Sequence, residues 1–196
     1  MVWDDIKGGC LEFDEETHTY IYEGVILPSV TQVLKCKFGN MYDYVRADVL
    51  QKAGERGTKI HSDIEAYIKG EDRDTTEVRG FKFLQKQYDL SPLSSEIPVV
   101  IFLEGKPKIA GRLDMLLDIG DKLALADVKT TSTLNKEYLT YQLNLYRIGF
   151  DQCFEMDIEK LFGIHLREHK RKLVEIPINE PLALQIIKEY ERGSNE

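Results

Sequence analysis

Three strand-like segments joined by two turns, in the second half of the chain, limit the possible folds more than any other feature of the sequence. The segments cover residues 97–103, 109–119 and 122–128. The turns contain Gly105-Lys106-Pro107 and Gly120-Asp121, residue types that favour tight reversal of the chain. We therefore predict that these segments form hairpins in one sheet.

The remaining sequence predicts helices and further strands around these hairpins. Helical patterns cover residues 42–68 (interrupted at 54–57), 75–89, 134–153 and 180–191, and Pro28-Ser29 is typical of a further helix start. Strand patterns cover two short segments in 11–27 and a hairpin over 161–178, with its turn at 168–171. This order predicts an α/β fold of the mixed α+β type, with a central mixed β-sheet flanked by helices. We expect a single domain, 1–196, in which residues 1–92 form an N-terminal hairpin and helical elaboration and residues 93–196 form the core.

The charge distribution excludes a uniformly basic DNA-coating protein but not a nucleic-acid partner. The 196-residue chain has 26 lysines and arginines against 34 acidic residues, a net charge of −8. Residues 1–23 contribute −6 of this charge, from seven acidic residues and one lysine, so the rest carries only −2. A local positive surface is therefore compatible with the overall acidity.

Other sequence features favour a cytoplasmic location. The longest uncharged run, residues 24–34, has 11 residues, against the ~20 that a membrane helix needs. The first residues, 1–5, lack the basic and apolar regions of a signal peptide. Cys10, Cys36 and Cys153 suggest no disulfide framework and are too few to hold an iron–sulfur cluster.

Two aspartates are expected to face each other across the second hairpin. If Ile119 pairs with Lys122 across the turn, counting back along both strands places Asp114 opposite Asp127, with Cβ atoms about 5 Å apart. Facing carboxylates repel unless a cation lies between them, and a hard divalent cation prefers such oxygen ligands. Lys129 shares the face of Asp127. The alternative is an exposed sheet face that carries ordinary charges.

Further polar residues could complete such a site. His61 and Glu65 lie four residues apart and share one face of a predicted helix. Gln142 and Tyr146 have the same spacing on the helix that follows the hairpin. Glu96 opens the first predicted core strand, where it is either another acidic ligand or a solvated strand end.

Taken together and in this order, these motifs resemble the PD-(D/E)xK nuclease superfamily, in its RecB-like and phage-type exonuclease branch. The motifs are Arg56-Gly57-Thr58-x-x-His61 with Glu65, Gly111-Arg112-Leu113-Asp114, Asp127-Val128-Lys129-Thr130-Thr131 and Gln142-x-x-x-Tyr146. The segment Leu27-Pro28-Ser29-Val30-Thr31 also resembles small nucleases of phages and prophages. One departure from the superfamily name is Leu113, which stands before Asp114 in place of proline.

The resemblance implies a restriction-endonuclease-like core and a role for each motif residue. By this resemblance Asp114, Asp127, His61 and the Val128 carbonyl would bind Mg²⁺ or Mn²⁺. Lys129 would orient or activate the attacking water. The remaining residues are Gln142 and Tyr146, which would position substrate or catalytic groups, and Glu96 and Glu65, which are possible additional acids. No iron–sulfur cluster is expected.

A DNA substrate needs local positive charge near this acidic site. Residues 46–60 carry a net charge of +2 and residues 165–172 a net charge of +3. The predicted DNA-binding residues are Arg56, Lys59, Lys52, Thr130, Lys170 and Arg171. The junction at 54–57, interpreted as a helix start, would offer free amides to a phosphate. Tyr42 and Tyr44 either stack on single-stranded bases or belong to the core.

The sequence thus predicts a metal-dependent DNA nuclease. The resemblance favours an exonuclease that acts on DNA ends or single strands in recombination, repair or phage DNA metabolism, in the cytoplasm of a bacterial or phage-infected cell. It also allows a recombination protein as partner. The alternatives are a site-specific or structure-specific endonuclease and a non-catalytic DNA-binding protein with a degenerate nuclease fold.

Overall fold

The computed structural model describes residues 1–193, and its first part is a small antiparallel sheet. Its strands are β1 (Val2–Ile6), β2 (Gly9–Asp14), β3 (Thr19–Tyr22) and β4 (Val25–Leu27), in the order β1-β2-β3-β4. The two strands expected within 11–27 correspond to β2 and β3. The sequence did not predict β1, whose residues are mostly exposed, or β4, which has only three residues.

The first helix begins where the sequence predicts it. Helix α1 (Val30–Phe38) starts after Ser29, whose hydroxyl accepts a hydrogen bond from the Gln32 amide at 3.1 Å. The Gln32 side-chain oxygen in turn accepts a hydrogen bond from the Ser29 amide at 2.7 Å. This reciprocal pair satisfies two amides that have no partner within the helix. A single 3₁₀ turn, Gly39–Tyr42, follows.

Helix α2 (Ala47–Ile68) runs without interruption through residues 54–57. The predicted break, and the phosphate-binding amides that depended on it, are therefore wrong, because those amides lie within the helix. Two glycines lower helix propensity by about 1 kcal/mol each without ending a helix that packs well. Its buried Ile60 and Ile64 and helix α3 (Thr76–Tyr88) supply that packing.

The central sheet is mixed, as the sequence predicts. It contains β5 (Ser91–Leu103), β6 (Lys106–Asp118), β7 (Leu123–Lys129), β8 (Lys160–Arg167) and β9 (Lys170–Ile176), in the order β5-β6-β7-β8-β9. All neighbours pair antiparallel except β7 and β8, which are parallel and joined through helix α4 (Lys136–Phe154). Helix α5 (Glu180–Gly193) ends the described chain.

The central sheet is covered by three groups of elements. Helices α1, α4 and α5 pack against it in one core cluster, and α2 and α3 pack in another. The N-terminal sheet packs on Val100 and Ala110 of β5 and β6. Leu113 belongs to the cluster with α4, whereas Met115 belongs to the cluster with α2 and α3. Residues two apart in a regular strand share a face, so β6 rotates at Asp114.

Among residues 1–193, no helix combines the length and the apolar character needed to cross a bilayer.

Candidate metal centre

The hairpin between β6 and β7 has the register that the turn predicts. The Ile119 amide donates to the Lys122 carbonyl at 2.9 Å, and the ladder continues to the pair Met115 and Ala126. Asp114 and Asp127 come directly after this pair. There the ladder ends, and one carboxylate oxygen of Asp114 accepts the Val128 amide at 2.7 Å. At the end of the hairpin a carboxylate therefore accepts the hydrogen bond that a main-chain carbonyl would accept in a regular ladder.

Helix α2 brings an imidazole to Asp114. The Nδ1 atom of His61 lies 3.4 Å from Oδ2 of Asp114. Gly57, one turn before His61, faces the chain after β7, where a Cβ would lie 3.4 Å from the Thr130 hydroxyl, an ordinary contact distance. The adjacent Asp114 carboxylate raises the pKa of His61 to about 9. The imidazole is therefore protonated at neutral pH in the metal-free protein.

Glu96 is the third member of this cluster. One ligand atom from each of His61, Glu96 and Asp114 lies within 4.8 Å of the others. Glu96 does not open a strand, as the sequence predicted, but lies within β5 with a left-handed backbone (φ 54°). Burial and the Asp114 charge raise the pKa of Glu96 to about 7. Its partner is Arg112, whose Nε lies 2.5 Å from Glu96 Oε2, and this contact was not predicted.

Asp127 and Lys129 form a buried ion pair next to this cluster. The Lys129 ammonium lies 2.6 Å from Oδ2 of Asp127, which is only 2% exposed. Burial raises the pKa of Asp127 to about 6; Lys129 opposes this shift and Asp114 adds to it. Burial alone would lower the pKa of Lys129, but the two aspartates hold it above its usual value. Lys129 therefore stays a cation at neutral pH.

Burial alone would also raise the pKa of Asp114, but other groups lower it below its usual value. His61, Lys129 and the Val128 amide all stabilise the ionised form of this carboxylate. The two aspartates are thus shifted in opposite directions, Asp114 towards the charged form and Asp127 towards the neutral one. A cation placed between them would favour ionisation of both.

The donor set fits a hard divalent cation. Oδ2 of Asp127 is buried and lies 2.6 Å from the Lys129 ammonium. A small cavity of about 10 Å³ is bordered by the three cluster residues and by Glu65 and Val128. That volume accepts about one water-sized particle. Carboxylate oxygens with one imidazole suit Mg²⁺ or Mn²⁺.

Helix α4 closes the opposite side of the site. Tyr138, Gln142 and Tyr146 lie at successive four-residue steps and share one face of α4. The Tyr138 ring centre lies 5.7 Å from the Lys129 ammonium. Gln142 is 6% exposed, and its Oε1 has no hydrogen-bond partner in the described part of the chain. Tyr138 was not predicted as a site residue, although its position one turn before Gln142 was available as a signal.

The motif glycine of β6 makes room for Tyr146. A Cβ on Gly111 would lie 2.8 Å from the Tyr146 ring and 3.1 Å from the Val30 side chain. The buried ring therefore packs directly on the backbone of β6, three residues before Asp114. Burial raises the pKa of the Tyr146 hydroxyl well above its usual value, so this group remains a neutral hydrogen-bond donor.

Three predicted DNA-binding residues lie on α2, and their surroundings differ. Lys52 and Lys59 are exposed. Arg56 lies between two acidic side chains, at 3.8 Å from Glu77 and 3.8 Å from Glu168. The two lysines are thus open to solvent, whereas Arg56 also links α2 to its neighbours.

The basic residues of the second hairpin are largely engaged within the protein. The Lys170 ammonium donates to the Ser132 carbonyl at 2.9 Å. Lys170 and Arg171 do not lie in the turn, as their sequence positions suggested, but in β9. The Arg171 guanidinium carbon lies 4.0 Å from the Phe83 ring centre. Lys170 thus stays near the loop that follows the Lys129 strand, and Arg171 packs against α3.

Tyr42 and Tyr44 do not belong to the core. They are 43% and 85% exposed, respectively, directly before α2. The core interpretation of these two tyrosines is therefore wrong, and stacking on a ligand stays a prediction.

Comparisons with known proteins give a likeness of fold. The sequence matches no protein-family model and no curated protein. The crystal structure of SSO0001 matches with a TM-score of 0.50 and 18% identity, over 86% of this chain and 76% of that chain. A candidate exonuclease from Eubacterium rectale (TM-score 0.47, 10% identity, 86% and 79% covered) and an alkaline exonuclease from Laribacter hongkongensis (0.46, 10%, 86% and 86%) are also similar.

Proposed function

We propose that the protein is a divalent-metal-dependent nuclease that hydrolyses phosphodiester bonds in DNA. The observation that carries the proposal is the convergence of His61, Glu96 and Asp114 beside the buried Asp127–Lys129 pair. These residues come from α2, β5, β6 and β7, and they meet where the hairpin ladder ends.

The ligands of the metal ion would be Asp114, Asp127, His61 and the Val128 carbonyl, with Glu96 as an additional carboxylate and Glu65 at the cavity edge. When bound, Mg²⁺ or Mn²⁺ would supply Lewis-acid activation of water and neutralise the charge that develops on the phosphate.

In this proposal Lys129 acts as a positively charged hydrogen-bond donor. In the metal-free protein the carboxylates of Asp127 and Asp114 hold the pKa of Lys129 above its usual value, and the proposal gives Lys129 the role of an ammonium. It can therefore orient the attacking water and stabilise negative charge on a phosphoryl oxygen. Gln142 and Tyr146 support this arrangement from α4, where the unpartnered amide oxygen of Gln142 is available to hold a water molecule.

The surface beside α2 is the proposed path of the DNA. Lys52 and Lys59 offer positive charge to the phosphates, and the exposed Tyr42 and Tyr44 offer rings on which bases can stack. A combination of cationic and aromatic side chains suits a strand end or a single strand. We therefore favour an exonuclease, with a role in recombination, repair or phage DNA metabolism.

The test uses labelled linear duplex, circular duplex and single-stranded DNA, each with EDTA, Mg²⁺ or Mn²⁺. We expect metal-dependent degradation of linear or single-stranded DNA, and loss of at least 100-fold in rate for Asp114→Asn and Lys129→Ala. Asp121→Asn, in the distant turn of the same hairpin, is the matched control and should cut like the parent. Cutting of circular DNA would indicate an endonuclease. DNA binding without any cleavage would contradict the proposal and support a non-catalytic protein.

A further inference from the structure

Arg112 lies between the candidate metal centre and the N-terminal sheet. Its Nε lies 2.5 Å from the Glu96 carboxylate, and both side chains are mostly buried, with 26% and 19% of their surfaces exposed. Arg112 and Asp114 are two residues apart on β6, and Glu96 lies on the neighbouring strand β5. The guanidinium is thus close to the metal-binding cluster without belonging to it.

The Glu96 carboxylate needs such a partner to stay in place. Its backbone has a left-handed conformation (φ 54°) inside a strand, which non-glycine residues rarely adopt. Its carboxylate is directed towards Asp114, a group of the same charge. Without a bound cation these two charges repel each other. The ion pair with Arg112 opposes this repulsion and fixes the orientation of Glu96.

Arg112 is itself held by the N-terminal sheet. Its guanidinium carbon lies 5.5 Å from the ring centre of Phe13 in β2, a geometry typical of a cation–π contact. The Phe13 ring is buried and packs on Tyr20 at 4.5 Å between ring centres, so its position is well defined. Phe13, Arg112 and Glu96 therefore form a continuous chain of contacts from the N-terminal sheet to the cluster.

We infer that Arg112 is a positioning residue that holds Glu96 as a ligand of the divalent cation, and that the N-terminal sheet supports it through Phe13. This inference rests on the metal-dependent function proposed above. It assigns to the N-terminal sheet a specific contribution to metal affinity. Partners of this kind typically contribute about 10- to 100-fold to the affinity of a metal site.

The test is a titration of the full chain with MnCl₂ at pH 7.5. Binding is measured by calorimetry and by the electron paramagnetic resonance signal of free Mn²⁺. Arg112→Met keeps an unbranched side chain but removes the ion pair, and should weaken binding about tenfold or more. Arg112→Lys, which keeps the charge, should restore part of the affinity. Phe13→Leu should weaken binding about two- to fivefold. The control Arg79→Met removes one positive charge from an exposed ion pair on α3 and should leave the affinity unchanged.

A double variant separates positioning from a general structural role. In Glu96→Gln, Arg112 has no carboxylate to hold, and its charge only repels the cation. Adding Arg112→Met to Glu96→Gln should therefore leave Mn²⁺ affinity equal or raise it, the reverse of its effect in the parent. A double variant that binds more weakly than Glu96→Gln would overturn the inference, as would tighter binding by Arg112→Met alone. If Arg112→Met binds like the parent, the inference fails while the metal site stands; if the parent itself binds no Mn²⁺, the proposed function fails.

Discussion

The contact between His61 and Asp114 predicts how the stability of the metal-free protein depends on pH. The carboxylate raises the pKa of His61 from 6.5 to about 9. The folded state therefore binds the proton more tightly than the unfolded state, and this stabilisation is complete below pH 6.5. It is lost as the pH rises through 9. A difference of 2.5 pH units corresponds to about 3 kcal/mol of unfolding free energy.

The assay is urea denaturation in EDTA at intervals between pH 6 and pH 9.5. We expect the unfolding free energy of His61→Gln to be lower than that of the parent near pH 6 and to converge with it near pH 9.5. The matched control is His169→Gln, which changes an exposed imidazole in the turn between β8 and β9. It should retain the parent profile. Parallel curves for the parent and His61→Gln, differing by a constant across this range, would refute the reasoning.

Three further substitutions test the close packing at Gly111, the continuity of α2 and the cap of α1. Gly111→Ala places a methyl group 2.8 Å from the Tyr146 ring, and should cost about 1–3 kcal/mol in urea denaturation; an unchanged midpoint would contradict the close approach. Gly54→Ala has no neighbour within 4 Å, so it should stabilise a continuous α2 by up to about 1 kcal/mol, whereas a real break there would give no gain. Ser29→Ala removes the cap of α1 and should lower the thermal midpoint by an amount equivalent to about 1 kcal/mol; Ser91→Ala, on an exposed strand position, is its control.

The part of the site that depends on local chain geometry could be predicted from the sequence. The turn at Gly120-Asp121 determines the register of the hairpin, and the ladder follows that register as far as the pair Met115 and Ala126. That Asp114 and Asp127 face each other beyond this last pair stays a prediction. The four-residue spacing of Gln142 and Tyr146 likewise predicts their shared helix face. These inferences need only the periods of strands and helices.

Other features depend on contacts that a local pattern does not contain. The left-handed backbone at Glu96 and the rotation of β6 at Asp114 interrupt the simple alternation of a strand. For that reason the contact between Glu96 and Arg112 could not be predicted. The glycines of α2 suggested a break, but the packing of the helix against α3 keeps it continuous through Gly54 and Gly57.

The hydrogen bond from the Val128 amide to Asp114 has a mechanical consequence. In an unbroken ladder a main-chain carbonyl would accept the Val128 amide. Here the Asp114 side chain accepts it, so the last hydrogen bond between β6 and β7 depends on a titratable group. Protonation or removal of that carboxylate would therefore loosen the two strands at their open end. Local opening of the hairpin is therefore coupled to the charge state of the acidic cluster. Hydrogen exchange at the Val128 amide would report this coupling directly.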